Sequence, residues 1–137
     1  MNKGYLNFEQ VKKILSPQLE IVERVGRYRN VYKSSNNSIV AFSNSKDYGG
    51  EKWWYSIFVY EWSKLGVEKV CLTLGEQGIV VLPMTLLLDY AKYADYNDNY
   101  TNGKRFFIRI KKENGNIILY HSGQNNINIT PMFHRVV

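Results

Sequence analysis

Basic and aromatic side chains alternate late in the chain, in the segment KRFFIRIKK at residues 104–112. Every second side chain of an extended strand points to the same face, so Phe107 would lie between Arg105 and Arg109. Cationic groups bind phosphates, and aromatic rings stack on nucleobases. The pattern therefore indicates a strand face that binds nucleic acid.

The same segment is predicted to be the first strand of a β-hairpin. Asn114-Gly115 supplies the positive φ angles of a type I′ turn, so residue 110 should face 119 and residue 112 should face 117. One face of the hairpin is then apolar and belongs to the core. The opposite face carries Arg105, Phe107, Arg109, Lys111, Ile118 and Tyr120. A solvated sheet face with ordinary cross-strand packing is the alternative interpretation.

A second basic segment, GRYRNVYK at residues 26–33, has a similar alternation. Arg27, Arg29 and Lys33 share one face with Val31. If this face and the hairpin face belonged to the same side of one sheet, they would form a patch of six cations. Such a patch would favour phosphate contacts.

Aromatic residues are concentrated in KWWYSIFVYEW at residues 52–62. A strand at 52–59 puts Trp53, Tyr55 and Ile57 on an unbroken apolar face, which is typical of a core. Trp54 lies on the other face, between Lys52 and Ser56. Trp54 is therefore the candidate contact residue of this segment, although simple packing under a loop also explains its position.

Motifs for catalysis or metal binding are sparse. Metal-dependent nucleases need clustered carboxylates with a nearby lysine, and the compact group that approaches this is Asp47 and Glu51 with Lys52. His121 and His134 have no second ligand at metal spacing, so no metal site is predicted. The phosphate-binding pattern GxxxxGK[ST] does not occur, and no cofactor is expected.

Composition limits the class of protein. The chain has 137 residues and a formal net charge of +6, which predicts a single domain over residues 1–137 and favours polyanionic partners. The lone Cys71 lies in an apolar run, so we expect a buried thiol and a cytoplasmic protein. The longest apolar run, IVVLPMTLLL, is too short to cross a bilayer, and no membrane partner is expected.

Hydrophobic periodicity predicts short helices near residues 7–15, 58–65 and 83–94 and strands over most of the remaining chain. Residues 95–104 are predicted to be a polar loop, and the C-terminus is expected to be mobile. This order of elements indicates an α+β fold, a single compact domain with a mostly antiparallel sheet and two or three short helices on one side.

Taken together, the sequence predicts a small, basic, non-catalytic protein that binds nucleic acid, and both DNA and RNA fit the pattern. A protein-protein interaction module, such as an inhibitor or accessory subunit with an aromatic hot spot, is the first alternative. A metal-dependent nuclease that uses Asp47 and Glu51 is the second.

Overall fold

Eleven strands and three α-helices form the part of the chain that the structure, a computed structural model, describes. That part comprises residues 4–16, 20–26, 30–100, 103–121 and 126–136. In chain order the elements are α1 (Phe8–Leu15), β1 (Ile21–Arg24), β2 (Val31–Ser34), β3 (Ile39–Ser43), β4 (Lys52–Ile57), α2 (Val59–Lys64), β5 (Val67–Leu74), β6 (Gly78–Pro83), α3 (Met84–Ala91), β7 (Tyr96–Tyr100), β8 (Gly103–Glu113), β9 (Asn116–Tyr120), β10 (Ile127–Asn128), a 3₁₀ turn (Thr130–Met132) and β11 (Phe133–Arg135).

The strands form two mostly antiparallel sheets. The six-stranded sheet has the order β1-β2-β3-β5-β6-β11, in which β3 and β5 run parallel. The five-stranded sheet has the order β10-β9-β8-β4, and β7 also pairs with β8. The predicted α+β class with short helices is confirmed, and the strands are divided between two sheets instead of lying in one.

The two sheets enclose the main core. As the alternation in β4 predicts, Trp53, Tyr55 and Ile57 are buried, and they pack with Leu72 and other apolar residues of β5 and β6. Burying each large apolar side chain contributes roughly 1.5–3 kcal/mol. The Tyr55 hydroxyl donates a hydrogen bond to the carbonyl oxygen of Thr73 at 2.6 Å, which links the two sheets.

A capping box begins α1. The Asn7 side chain accepts a hydrogen bond from the Gln10 backbone N–H at 2.9 Å, and the Gln10 side chain accepts one from the Asn7 N–H at 2.9 Å. These two bonds satisfy backbone donors that the first helical turn leaves unpaired. The short helix predicted near residues 7–15 is therefore confirmed.

The helices lie on both faces of the six-stranded sheet. Ile14 of α1 packs with Cys71 of β5, whereas Leu72, the next residue, points into the core that α2 and α3 help to form. Consecutive strand residues point to opposite faces, so α1 lies opposite the other two helices. The expectation that the helices share one side is therefore wrong. No helix in the described ranges has the length and apolarity needed to cross a membrane.

Two segments form strands where none was predicted. Residues 96–100, expected to be loop, form β7 and pair with β8, and residues 133–135, expected to be mobile, form β11 and pair with β6. Backbone N–H and C=O groups make these pairings, and every non-proline residue has both. Neither the polar composition of the first segment nor the position of the second near the C-terminus prevented strand pairing.

Candidate functional site

The predicted hairpin has the predicted register. Ile110 pairs with Leu119 and Lys112 with Ile117, and the turn residues Asn114 and Gly115 have φ angles of 54° and 81°. The apolar side chains of β8 and β9 point into the core. The basic and aromatic side chains therefore point away from it, on a surface that we call the outer face. The outer face consists of Lys52 and Trp54 from β4, Phe107, Arg109 and Lys111 from β8, and Ile118 and Tyr120 from β9.

Three adjacent strands place Trp54, Arg109 and Tyr120 in one row across the outer face. Trp54 pairs with Arg109, and Arg109 pairs with Tyr120 on its other side. The next row along the strands contains Lys52 and Lys111, which also pair directly. An aromatic–cation–aromatic row thus lies beside a pair of lysines.

Ring contacts hold the aromatic side chains of the outer face in place. The rings of Trp54 and Phe107 stack with their centroids 5.2 Å apart and their planes 18° apart. The Lys111 ammonium lies 4.9 Å from the centroid of the Tyr120 ring. Trp54 is nevertheless 41% exposed, so the predicted contact residue is accessible and not covered by a loop.

A groove opens on the outer face between these side chains. Its volume is about 420 Å³, and its lining includes Tyr48, Lys52, Trp54, Arg109 and Tyr120. Tyr48 comes from the loop that precedes β4 and is itself exposed. With Trp53, which also lines it, the groove combines four aromatic residues with two cations.

Two of the predicted cations have carboxylate partners. An Nη atom of Arg109 lies 3.0 Å from Oδ2 of Asp95, and Lys111 Nζ lies 3.1 Å from Oε2 of Glu113. These carboxylates lower the positive potential that the sequence led us to expect. Both carboxylate side chains are more than half exposed, and exposed ion pairs contribute only about 0–1 kcal/mol, so a phosphate group can compete with them.

Tyr90, a buried residue on the core side of the sheet, forms hydrogen bonds with the backbone of two residues in the row. The Tyr90 hydroxyl donates a hydrogen bond to the Tyr120 carbonyl oxygen at 2.6 Å and accepts one from the Arg109 N–H at 3.3 Å. Burial raises the pKa of Tyr90 from 10.0 to about 12. The hydroxyl therefore stays protonated near neutral pH and remains a donor.

Arg105 lies near the start of β8, away from Arg109 and the groove. Its Nε donates a hydrogen bond to the Ser56 carbonyl oxygen at 3.4 Å, and its guanidinium lies 5.4 Å from the centroid of the Phe58 ring. It lines a different cavity of about 210 Å³, together with Asn30, Val31 and other residues. Arg105 is thus in the predicted strand but outside the groove.

The other predicted basic segment does not extend the outer face. Lys33 is on β2 in the six-stranded sheet, and Val31, which shares its face, is buried in the core. The condition for a six-cation patch, that both segments lie in one sheet, is therefore not met for Lys33. Arg27 and Arg29 lie outside the described residues.

The candidate nuclease residues make other contacts. Asp47 Oδ1 accepts hydrogen bonds from the backbone N–H groups of Gly49 at 2.8 Å and Lys52 at 3.3 Å, which shapes the loop before β4. Glu51 Oε2 accepts a hydrogen bond from the Gln77 amide at 3.0 Å and lies 3.7 Å from Lys112 Nζ. No group of three or more His, Cys, Asp or Glu side chains suited to a metal occurs within the described ranges.

Three residues of the site were not among the predicted contact residues. Lys52 could have been found from its place two residues before Trp54 on the same strand face. Tyr48 and Asp95 come from segments before β4 and β7, and no periodic pattern marks them. Tyr48 and Asp95 belong to the site only because the tertiary structure places their segments next to β8 and β9.

No protein-family model matches the chain, and neither the curated proteins nor the solved structures give a match. The geometry of the outer face is therefore the basis for assigning a function.

Proposed function

We propose that this protein binds nucleic acid through the outer face of its five-stranded sheet. The observation that supports this proposal is the row of Trp54, Arg109 and Tyr120, in which two aromatic rings flank a cation beside an open groove. Aromatic rings stack on bases of any sequence, and cations neutralise phosphates. The overall charge of +6 adds long-range attraction to a polyanion.

The cations of the outer face supply the salt-dependent part of this binding. Lys52 forms no ion pair with any residue that the structure describes, and it pairs across the strands with Lys111. Since Arg109 and Lys111 share their charge with carboxylates, we expect moderate affinity and a small number of phosphate contacts. The aromatic rings then provide a larger share of the binding energy than in a strongly basic site.

A salt titration with matched charge variants tests the proposal. A fluorescein-labelled oligonucleotide is titrated with the protein at several salt concentrations, and binding is followed by fluorescence anisotropy. Replacing Lys52, Arg109 and Lys111 together by Gln should weaken binding and reduce the slope of log K against log salt by about two, because each contact to a single strand contributes about 0.7.

The control variant replaces the exposed residues Lys13, Lys64 and Lys69 by Gln. It lowers the net charge equally but leaves the outer face intact, so it should keep most of the affinity and the slope. If the two triple variants lost affinity alike while both stayed folded by circular dichroism, the outer face would not be the binding site. If the unmodified protein did not bind at low salt, the proposal would fail.

A protein partner is the second candidate, and the ion pairs Arg109–Asp95 and Lys111–Glu113 favour it because they reduce the charge around exposed aromatic rings. Trp and Tyr dominate the binding energy of many protein interfaces. This candidate predicts a stoichiometric partner that stays bound after nuclease treatment and is lost in Trp54→Ala. A complex that nuclease dissolves would contradict it.

We also propose a cytoplasmic location. Cys71 is buried and unpaired, and burial raises the pKa of its thiol from 9.0 to about 12. A protein with a single inert thiol gains no stabilisation from an oxidising compartment. Fractionation of the native host's cells, followed by immunoblotting for the protein, tests this location, and recovery in a secreted fraction would contradict it.

A further inference from the structure

We infer that the groove on the outer face binds an unpaired base, which makes single-stranded nucleic acid the substrate class. This inference rests on the proposed nucleic-acid binding and goes beyond it, because basic residues alone do not distinguish a single strand from a duplex. The distinction comes from the aromatic side chains.

The first argument is the spacing within the row. Trp54 and Tyr120 lie on strands either side of β8, with Arg109 between them. Neighbouring strands are about 4.8 Å apart, so the two backbones are separated by roughly 10 Å. One planar ring between two others needs about 7–8 Å, twice the 3.5–4.0 Å contact distance of carbon atoms. The row is therefore wide enough to hold one flat ring above Arg109.

The second argument is that the rings are held in place before anything binds. Phe107 stacks on Trp54 and the Lys111 ammonium lies against Tyr120. The Tyr90 hydroxyl holds the backbone of both Arg109 and Tyr120 from the core side. A groove with fixed walls loses little conformational entropy when a ligand enters, which favours binding.

The third argument separates a single strand from a duplex. In a duplex each base is stacked between its neighbours, so its ring faces are not available to protein side chains. Unpaired bases expose these faces and stack on Trp, Tyr, Phe or the guanidinium of Arg. A groove of about 420 Å³ lined by aromatic residues together with Lys52 and Arg109 can stack on an unpaired base, whereas the bases of an intact duplex cannot enter it.

The lysine pair next to the row fits the backbone of such a strand. Lys52 and Lys111 are direct cross-strand partners, one row away from Trp54 and Arg109. A base in the groove would bring its flanking phosphates toward these two ammonium groups. The outer face therefore offers both parts of a single-strand site, a stacking surface and adjacent cations.

Three matched probes test the inference by fluorescence anisotropy at low salt. They are a short labelled strand of mixed sequence, the same strand in a blunt duplex, and a strand of equal length in which abasic residues replace the nucleotides. The abasic strand keeps the phosphates and removes the rings. We expect the normal strand to bind about tenfold or more tightly than either of the others, the typical effect of stacking one base on an aromatic side chain.

Trp54→Ala should remove this preference and weaken binding of the normal strand about tenfold, with little effect on the abasic strand. Tyr93→Ala is the control, since Tyr93 is an exposed aromatic residue that does not line the groove. Circular dichroism checks that each variant is folded.

The outcomes separate this inference from the proposed function. Equal, salt-dependent binding of all three probes would keep nucleic-acid binding and overturn the single-strand inference. Tighter binding of the duplex would also overturn it. If none of the probes bound, the proposed function itself would fail.

Discussion

The hydroxyl group of Tyr90 donates a hydrogen bond to the backbone carbonyl oxygen of Tyr120, with the two oxygen atoms 2.6 Å apart. The same hydroxyl accepts a hydrogen bond from the backbone N–H of Arg109 at 3.3 Å. A side chain from α3 thereby joins β8 and β9 where their own ladder ends, at the Arg109–Tyr120 pair. Two residues of the proposed binding row are held by one buried group.

Removing that hydroxyl should destabilise the protein. Tyr90→Phe leaves the Tyr120 carbonyl and the Arg109 N–H without this partner, which costs about 1–3 kcal/mol for buried groups. Urea denaturation measures the loss in the free energy of unfolding. Tyr93→Phe is the matched control, because Tyr93 is 63% exposed and surface changes have effects within about 0.5 kcal/mol. If Tyr90→Phe lowered the free energy of unfolding no more than Tyr93→Phe does, the Tyr90 hydroxyl would not stabilise the fold.

Removing the carboxylate beside Arg109 should strengthen binding. Asp95→Asn releases the guanidinium from its 3.0 Å ion pair, so we expect higher affinity for a single strand and a salt slope steeper by up to about 0.7. Asp89→Asn is the control, because it changes the net charge equally and breaks the Lys92–Asp89 ion pair at the C-terminal end of α3 instead. If both variants gained affinity alike, only net charge would matter. Anisotropy titrations measure both effects.

A methyl group at Gly78 should displace β11. A Cβ atom there would meet the His134 carbonyl oxygen and lie 2.8 Å from Cε1 of Phe133, closer than side chains pack without backbone movement. We expect Gly78→Ala to speed amide hydrogen exchange throughout β11. Gly115→Ala strains a turn with φ of +81° but meets nothing within 4 Å, so exchange in β11 should not change. Unaltered exchange in Gly78→Ala would contradict the close packing of β11 on β6.

Alkaline pH should destabilise the fold. Burial raises the pKa of Cys71 from 9.0 to about 12 and that of Tyr90 from 10.0 to about 12. The unfolded chain releases these protons at a lower pH than the folded one, so the stabilisation is complete below about pH 9 and is lost between that pH and about 12. Each group contributes a slope of up to about 1.4 kcal/mol per pH unit.

Urea denaturation at about pH 8 and about pH 10.5 measures this fall. Cys71→Ala alters the packing equally at both pH values and removes one titrating group, so the decline between the two pH values should be shallower. A free energy of unfolding that stayed constant up to about pH 11 would contradict the burial of both groups.

The faces of the strands were predictable because they depend on local geometry. Side chains alternate along any strand, so Trp53 and Tyr55 were assigned to the core and Trp54 to the opposite face. Asn114-Gly115 fixed the hairpin register in the same local way, and the register placed Arg109 opposite Tyr120. The sequence of this one hairpin was therefore enough to predict that Arg109 and Tyr120, two members of the binding row, lie side by side.

The neighbours of those strands were not predictable in the same way. Lys33 has the same alternating surroundings as Arg109, yet β2 belongs to the other sheet. The polar segment at 96–100 pairs with β8, although its composition is typical of a loop. Strand pairing uses backbone groups that all segments share, so side-chain patterns indicate which face is buried and leave open which strand lies alongside.

The sequence by itself thus determined the α+β class and the apolar and polar faces of β4 and the hairpin. It placed Trp54 on the polar face of β4 but left open whether this side chain is exposed or packed under a loop. Only the tertiary structure decided that β4 lies beside β8, which brings Trp54 and Phe107 into contact, and that Asp95 and Tyr48 complete the site. The physical reason is the range of the interactions. Alternation and turn geometry act over a few residues, whereas sheet order and ion pairs join segments that are far apart in the chain and form only when the whole core packs.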